Sequence, residues 1–452
     1  MPVGDCLGKL AEALFPFRNI PAVSDRLGTA LLALIGAVPC ALRCYSTCES
    51  DGNARLSLVP TADPTGDTPM TTEQAQNGDQ APLSVLQIGT QFNLGGIPRH
   101  MLSLAQTLRE LGHDVTLSGN AGTWYGPNDD PDFLELPIRY VASEGGGIPA
   151  RLKNLAHSVF TLRRWLRLNR VDLIHAHESA PALVSMMARA GLRIPVAVTY
   201  HGSEPERVKT FSRVARHCDL VITPSHASAR DLIEIGGIPE TRVQVLGLGV
   251  KPAPLDSAEE IAAVRRRYLG DGEKLIVTVA RQSHQKGIDI LIDCVARMKD
   301  SHPGYRFLLV GDGHLEKEYK ALATEKGVLN HLTFAGRTER VHLHIRAADV
   351  FALTSRYESL PFVIPEAFQT GTPVVATACS GVVELVDDSV GRVVPIGDVP
   401  AICTALHSVL ADEAALERMG AAALERSRED RFNPDWVHRQ FVETYRKLAA
   451  KF

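Results

Sequence analysis

From Ser84 onward the chain alternates short apolar runs with longer amphipathic stretches. That alternation predicts parallel strands joined by helices, because a strand covered on both faces reads as continuous apolar sequence while its crossover helix keeps one polar face. Strands are expected at 85–88, 114–117, 137–141, 173–176, 196–200, 220–223 and 243–246. Helices fit the segments between, the first from about 97 to 111 with Leu102, Ala105 and Leu108 on one face. Residues 247–272 carry Pro252, Pro254, Gly270 and Gly272 and read as a hinge. A second series of strands is then expected at 275–280, 307–310, 332–335, 350–353, 373–378 and near 391–395. The last stretch, 432–452, places Trp436, Phe441 and Tyr445 among Lys and Arg and reads as an amphipathic helix. The fold class is therefore α/β, with two doubly wound, Rossmann-like parallel-sheet domains at 83–250 and 251–430, and a helical segment at 431–452.

Residues 1–82 follow a different pattern. The run 27–42 is mostly apolar, but Gly36 and Pro39 interrupt it and it falls short of the roughly 20 residues of a spanning helix. It starts too late for a signal peptide and leads into cysteines and a polar tract. A shallow anchor and a simple upstream extension both fit. Residues 50–82, rich in Asp, Thr, Pro, Gly, Gln and Asn, have the composition of a disordered linker. Cys40, Cys44 and Cys48 recur every four residues with no histidine to complete a metal set, so no metal is expected there. Cys218, Cys294, Cys379 and Cys403 fall in apolar segments as small hydrophobes, which fits a reducing, cytoplasmic compartment.

Composition narrows the function classes. With 45% hydrophobic and 22% charged residues the chain is an ordinary globular protein, and a net charge of −4 gives no overall attraction for nucleic acid. An anion must therefore be bound by local groups.

Those groups gather at strand ends, where open α/β sheets bind ligands. The segment 350–388 reads as strand, polar loop, short helix, strand, with Glu358 in the loop and Glu366 in the first helical turn. A carboxylate so placed can accept two hydrogen bonds from a ribose diol while the free helical N–H groups face an anion. Taken alone, a favourable first-turn acid and a solvated loop charge explain the pair as well. Arg281 and Lys286 follow the strand at 275–280, and two cations there can neutralise a departing diphosphate. His177 and His201 end strands in the first half; the role of His177 stays open. Gly95 and Gly96 follow the first strand and let backbone N–H groups approach an anion, but they do not form the dinucleotide Gly-x-Gly-x-x-Gly fingerprint. The acids in 128–132 include an Asp-x-Asp, read as a solvated turn. Residues 151–170 carry six Lys or Arg and no acid over a leucine stripe. That helix reads equally as a docked surface helix and as a basic face for anionic lipid.

Ala280-Arg281 with Lys286-Gly287, Glu358-Ser359-Leu360-Pro361 with Glu366-Ala367, and the segment Thr199-Tyr200-His201-Gly202 together resemble glycosyltransferase family 4, the retaining enzymes of the GT-B fold. The likeness covers about 84–450. Ser359 stands where the family usually has Gly, Ala280 also replaces a Gly, and Leu248-Gly249-Val250-Lys251 replaces Asn-Gly-Val-Asp at the hinge. The resemblance implies a cleft between the two domains, a terminal helix crossing back to the first, and transfer of a sugar from a UDP- or GDP-linked donor to an acceptor hydroxyl with retention. It implies that Glu366 holds the ribose and that Arg281 and Lys286 stabilise the leaving diphosphate. Glu358, Ser359 and Leu360 would position the sugar, with His201 beside its reacting end. Gly95 and Gly96 would lie against the donor phosphates, and Gly311 and Arg337 would mark the base-binding loops. No metal or other cofactor is implied. The expected partners are a nucleotide sugar and a carbohydrate or lipid-linked acceptor, as in cell-surface polysaccharide or glycolipid synthesis, with inner-face membrane contact through 151–170 where the lipid reading holds. Competing readings are a nucleotide-sugar-binding protein without turnover, separated by donor consumption, an epimerase or hydrolase, which gives no acceptor product, and a nicotinamide-dependent oxidoreductase, which the missing fingerprint disfavours.

Overall fold

The computed structural model describes residues 81–93, 95–142, 147–202 and 205–452. The expectations for the first 80 residues, and Leu94 beside the paired glycines, lie outside the described residues.

Two parallel sheets carry the chain from Leu83 onward. The first joins β1 (Ser84–Gln91), β2 (Asp114–Asn120), β3 (Leu134–Glu135), β4 (Leu173–His177), β5 (Val196–Thr199), β6 (Leu220–Thr223) and β7 (Val243–Val245) in the order β3-β2-β1-β4-β5-β6-β7. The second joins β8 (Lys274–Val279), β9 (Tyr305–Val310), β10 (Leu332–Gly336), β11 (Val350–Leu353), β12 (Val374–Thr377) and β13 (Gly391–Val394) in the order β10-β9-β8-β11-β12-β13. Central strands β4 and β11 are buried at every position; β11 is apolar throughout, and β4 departs from that pattern only at His175 and His177. In each sheet the order reverses once, between β1 and β4 and between β8 and β11. Connections leave in opposite directions at these points, opening a crevice at the strands' carboxyl ends.

One expected strand is absent. Residues 137–141 form no ladder; β3 is only Leu134–Glu135, and Arg139–Ala142 is a short helix. Pro137 lacks the N–H that a ladder needs, and the backbone instead turns, with Leu136 N donating to Gly119 O (2.9 Å) and Ile138 N to Leu136 O (2.8 Å). The Asp-x-Asp turn is not simply solvated: Asp130 is buried, and its carboxylate accepts from Arg109 (2.8 Å) and the Tyr125 hydroxyl (3.2 Å). Cys218, Cys294, Cys379 and Cys403 are buried free thiols.

The helix Pro434–Ala449 follows the second sheet in sequence but packs into the core of the first. Asn433 caps it by accepting from Asp435 N (2.9 Å) and Trp436 N (3.3 Å), with Pro434 in the first turn. Its Val437, Phe441, Tyr445 and Leu448 join Val85, Leu104, Leu117 and Leu173 in one apolar cluster. Polar bonds fix its register: Tyr445 OH pairs with His175 Nδ1 (2.6 Å), and Gln244 donates to Thr444 (2.9 Å). Phe441→Ala is accordingly expected to cost about 3–5 kcal/mol. Urea denaturation measures this, and an unchanged midpoint would remove the helix from the first core.

Candidate active site

The second sheet supplies the charged side of the site. Past β8, the chain turns through Lys286 and Gly287, whose φ of +61° and approach to Thr354 O, 2.1 Å from where a Cβ would sit, admit only glycine. This turn aims Lys286 Nζ at Glu358 Oε1 (2.5 Å) on the loop after β11, and Ser355 Oγ donates to the same oxygen (2.7 Å). With side-chain exposures of 19% and 7%, the pair is largely withdrawn from water. Arg356, bonded to Asp289 (2.9 Å), ties down the loop. Lys286 and Glu358 thus meet across the β8/β11 reversal. Arg281, on the same turn as Lys286, is exposed. Glu366 lies in the helix Val363–Gln369, and Leu360 is buried in the second core. Gly311 N donates to Gly336 O (2.7 Å), which brings the β9 and β10 loops together, with Arg337 exposed on the second of them.

The first sheet supplies neutral imidazoles and one acid. His201, after β5, contacts His177, after β4, through Nε2 and Nδ1 at 3.0 Å, and their rings stack. His175 bonds Thr199 (2.7 Å), His438 from the terminal helix bonds Thr107 (2.8 Å), and His100 lies against both His177 and His201. Burial drives the proton from these rings: His175 and His201 are lowered to about 3 and His438 to about 4, while His100 and His177 lie well below the usual value.

Glu178, directly after His177, has φ 76° and ψ 172°, alone among the described non-glycine residues in having a positive φ. This region of the map is almost restricted to glycine and costs on the order of 1–3 kcal/mol. Glu178 Oε2 accepts from Thr90 Oγ1 (2.7 Å) at the end of β1. Burial pushes its carboxyl above the usual range, opposed by the Thr90 bond and by the charge of Arg281 from the second sheet.

Several contacts join the halves. Gly202, at φ +86°, lies so near Ser359 that a Cβ would come within 2.2 Å of the serine Cβ. The Ser359 hydroxyl meets Ser228 Oγ at 2.8 Å, so the residue that replaces the family's glycine bonds across the cleft. Glu384 accepts from His226 N (3.0 Å) and from Ala227 N at the start of the helix His226–Glu234. Arg99 donates to Glu366 (2.7 Å), and burial raises that carboxyl against the pull of Arg99. A Cβ on Gly96 would stand 3.5 Å from the Phe362 ring, so the Gly95-Gly96 loop borders the second sheet's acid loop.

Two families match the chain: Glycosyltransferase Family 4 over residues 94–253 and Glycosyl transferases group 1 over 262–426. A phosphatidyl-myo-inositol mannosyltransferase of Mycobacterium leprae is 29% identical over 376 residues, covering 79% of this chain and 94% of the relative. A glycogen synthase of Mycobacterium tuberculosis is 26% identical over 392 residues, covering 79% and 92%. Among solved structures, Anabaena HepE in complex with UDP and glucose aligns with a TM-score of 0.68 at 22% identity, covering 81% of this chain and all of that one. Sucrose-phosphate synthase of Thermosynechococcus elongatus aligns at 0.70 and 21%, covering 82% and 100%. The chain belongs to the family 4 glycosyltransferases and has the GT-B fold. It is a glycosyltransferase enzyme.

Of the residues singled out from sequence, Lys286 and Glu358 are in direct contact, Gly202 next to His201 lies against Ser359 across the cleft, and Arg281 and Arg337 stay exposed. Sequence reading passed over Arg99, Thr90, Glu178 and Glu384. Glu178 could have been found from its place next to His177 at a strand's carboxyl end; its backbone conformation left no trace in the sequence.

The buried imidazoles make stability pH-dependent. Unfolded, they take up protons near pH 6.5; folded, they do so only far lower, as at about 3 for His201. Their contribution is thus present above about pH 6.5 and is lost as pH falls toward 3. Glu178 and Glu366, raised by burial, act in the opposite sense but are outnumbered. The urea midpoint is expected to be lower at pH 5 than at pH 7.5; equal midpoints would mean that the rings are not held neutral.

Proposed function

We propose that the enzyme transfers a sugar from a nucleoside diphosphate sugar to an acceptor hydroxyl with retention of configuration. The observation that carries this reading is the withdrawn Lys286–Glu358 pair at the second sheet's reversal, within the cleft that His201 borders from the first. Glu366 exchanges Arg99 for the donor ribose diol. Arg281 and Lys286 stabilise the diphosphate as it departs, and Glu358 with the Ser359-Leu360 backbone positions the sugar. His201, held neutral, hydrogen-bonds near the reacting carbon. The acceptor oxygen bonds to that carbon on the face from which the diphosphate leaves, and a phosphate oxygen takes its proton. Gly95 and Gly96 border the phosphates, and the Gly311 and Arg337 loops receive the base. No metal is needed in this scheme, since the two cations supply the charge. A UDP-linked donor fits the UDP-bound state of HepE.

The helix Ile148–Leu168 suits a lipid-linked acceptor. Lys153, His157, Phe160, Arg164 and Arg167 follow one another at helical spacing on its exposed side, with Phe160 at 67% and Leu168 at 75% exposure, while Leu155, Leu162 and Leu166 face inward. Cations flanking an exposed aromatic ring match an anionic bilayer surface. No single helix among the described residues is long and apolar enough to cross a membrane.

Calorimetric titration with UDP, GDP and ADP tests the donor site. One diphosphate should bind selectively, and Glu366→Ala should weaken it about 10- to 100-fold; equal affinity in the variant would remove Glu366 from the site. Arg281→Ala, a change at an exposed side chain, should leave the fold intact and lower kcat about 100-fold or more. An unchanged kcat would show that the diphosphate is stabilised elsewhere.

A further inference from the structure

The residues at the two reversals of strand order are opposites. At the second, Lys286 and Glu358 close on each other across β8 and β11. At the first, Thr90 and Glu178 close on each other across β1 and β4. The first pair carries no cation, and the imidazoles beside it, His177 and His201, are neutral. Glu178 precedes the helix Ser179–Ala188, yet its side chain does not cap that helix but turns to Thr90. A glutamate in a conformation that glycine adopts freely, with no capping task, is a residue kept for its carboxylate. Thr90 engages Oε2, and Oε1 accepts no hydrogen bond among the described residues.

We propose that Glu178 binds the acceptor: its free oxygen receives a hydroxyl of the sugar or polyol ring that carries the attacking oxygen, so this ring presents hydroxyls and not a phosphate to the first sheet. The inference rests on the transferase reading and names the acceptor chemistry of that site. With the donor-side charges on the second sheet, and Gly95, Gly96 and His201 given to the donor from the first, Glu178 is the group of the first half left for the second reactant. An anionic group would meet the Glu178 carboxylate there, and Arg281, the one cation among the described residues whose charge reaches that carboxylate, is assigned to the departing diphosphate. A hydroxyl finds one acceptor in Glu178 and others in the imidazoles. From this backbone the carboxylate meets Thr90 and lies within reach of the Arg281 charge.

The test compares the wild type with Glu178→Gln and Glu178→Gly. Release of nucleoside diphosphate from the donor is followed with glucose, maltose or myo-inositol as acceptor, and separately with glucose 6-phosphate. At least one neutral polyol is expected to accelerate release by the wild type, and glucose 6-phosphate is not. Glu178→Gln should lower kcat/KM for that polyol about 10- to 100-fold with the donor Kd unchanged. Glu178→Gly should lose transfer equally while its Tm rises by about 1–3 °C, because glycine relaxes the backbone. A purely structural glutamate would instead lower Tm and leave kcat/KM in place. The proposal is overturned by wild-type transfer in either variant, by a lower Tm in the glycine variant, by acceleration with the phosphorylated sugar alone, or by no acceleration with any polyol while donor binds. If the wild type binds no nucleoside diphosphate, it is the transferase reading that fails.

Discussion

A lysine and a glutamate held together with little water around them are stable only while each has the other, since an unpaired charge in such a place is far more costly than the pair. Lys286 and Glu358 are so held, and their meeting depends on the geometry of the second sheet. They come from loops that follow β8 and β11, neighbours in the sheet that lie far apart in the chain. The reversal of strand order brings them together, Gly287 gives the turn that aims the lysine, and Ser355 shares the glutamate oxygen. The pair is thus set by the fold itself.

The opposing half works by withholding charge. Its histidines are packed against one another and against Phe441 and Tyr445, so a proton on any of them would be repelled and poorly solvated. The cleft is consequently asymmetric: the Lys286–Glu358 pair and Glu366 on one wall, neutral rings, Glu178 and the cation Arg99 on the other. Contacts between the walls are polar and local, such as Ser228 with Ser359 and Arg99 with Glu366. Water or a ligand hydroxyl can replace each of these without opening a core.

Much of this was legible because parallel strands covered on both faces announce themselves as apolar runs. Strands β8, β9 and β11, and the places of Arg281, Lys286, Glu358 and Glu366 after strands, follow from the apolar runs and their spacing; that these residues belong to one site comes from the family resemblance. What stayed hidden depends on the third dimension. The 137–141 segment has a strand's composition, but Pro137 breaks the ladder. Asp130 has a turn's composition, but the fold brings Arg109 and Tyr125 to it. Arg99 and Glu384 are single charges on helical or loop segments, and nothing local says that they reach the other half. Glu178 differs from any other acid only in a backbone angle.

The helix Pro434–Ala449 carries a consequence for how the molecule comes into being. The first sheet is complete in strands once β7 has been made, yet part of its core, from Val437 to Leu448, belongs to a segment synthesised only after the whole second sheet. Until then the surface that will receive Phe441 and Tyr445 stays open on the nascent chain. The half made earlier therefore cannot complete its core until the last helix has been made.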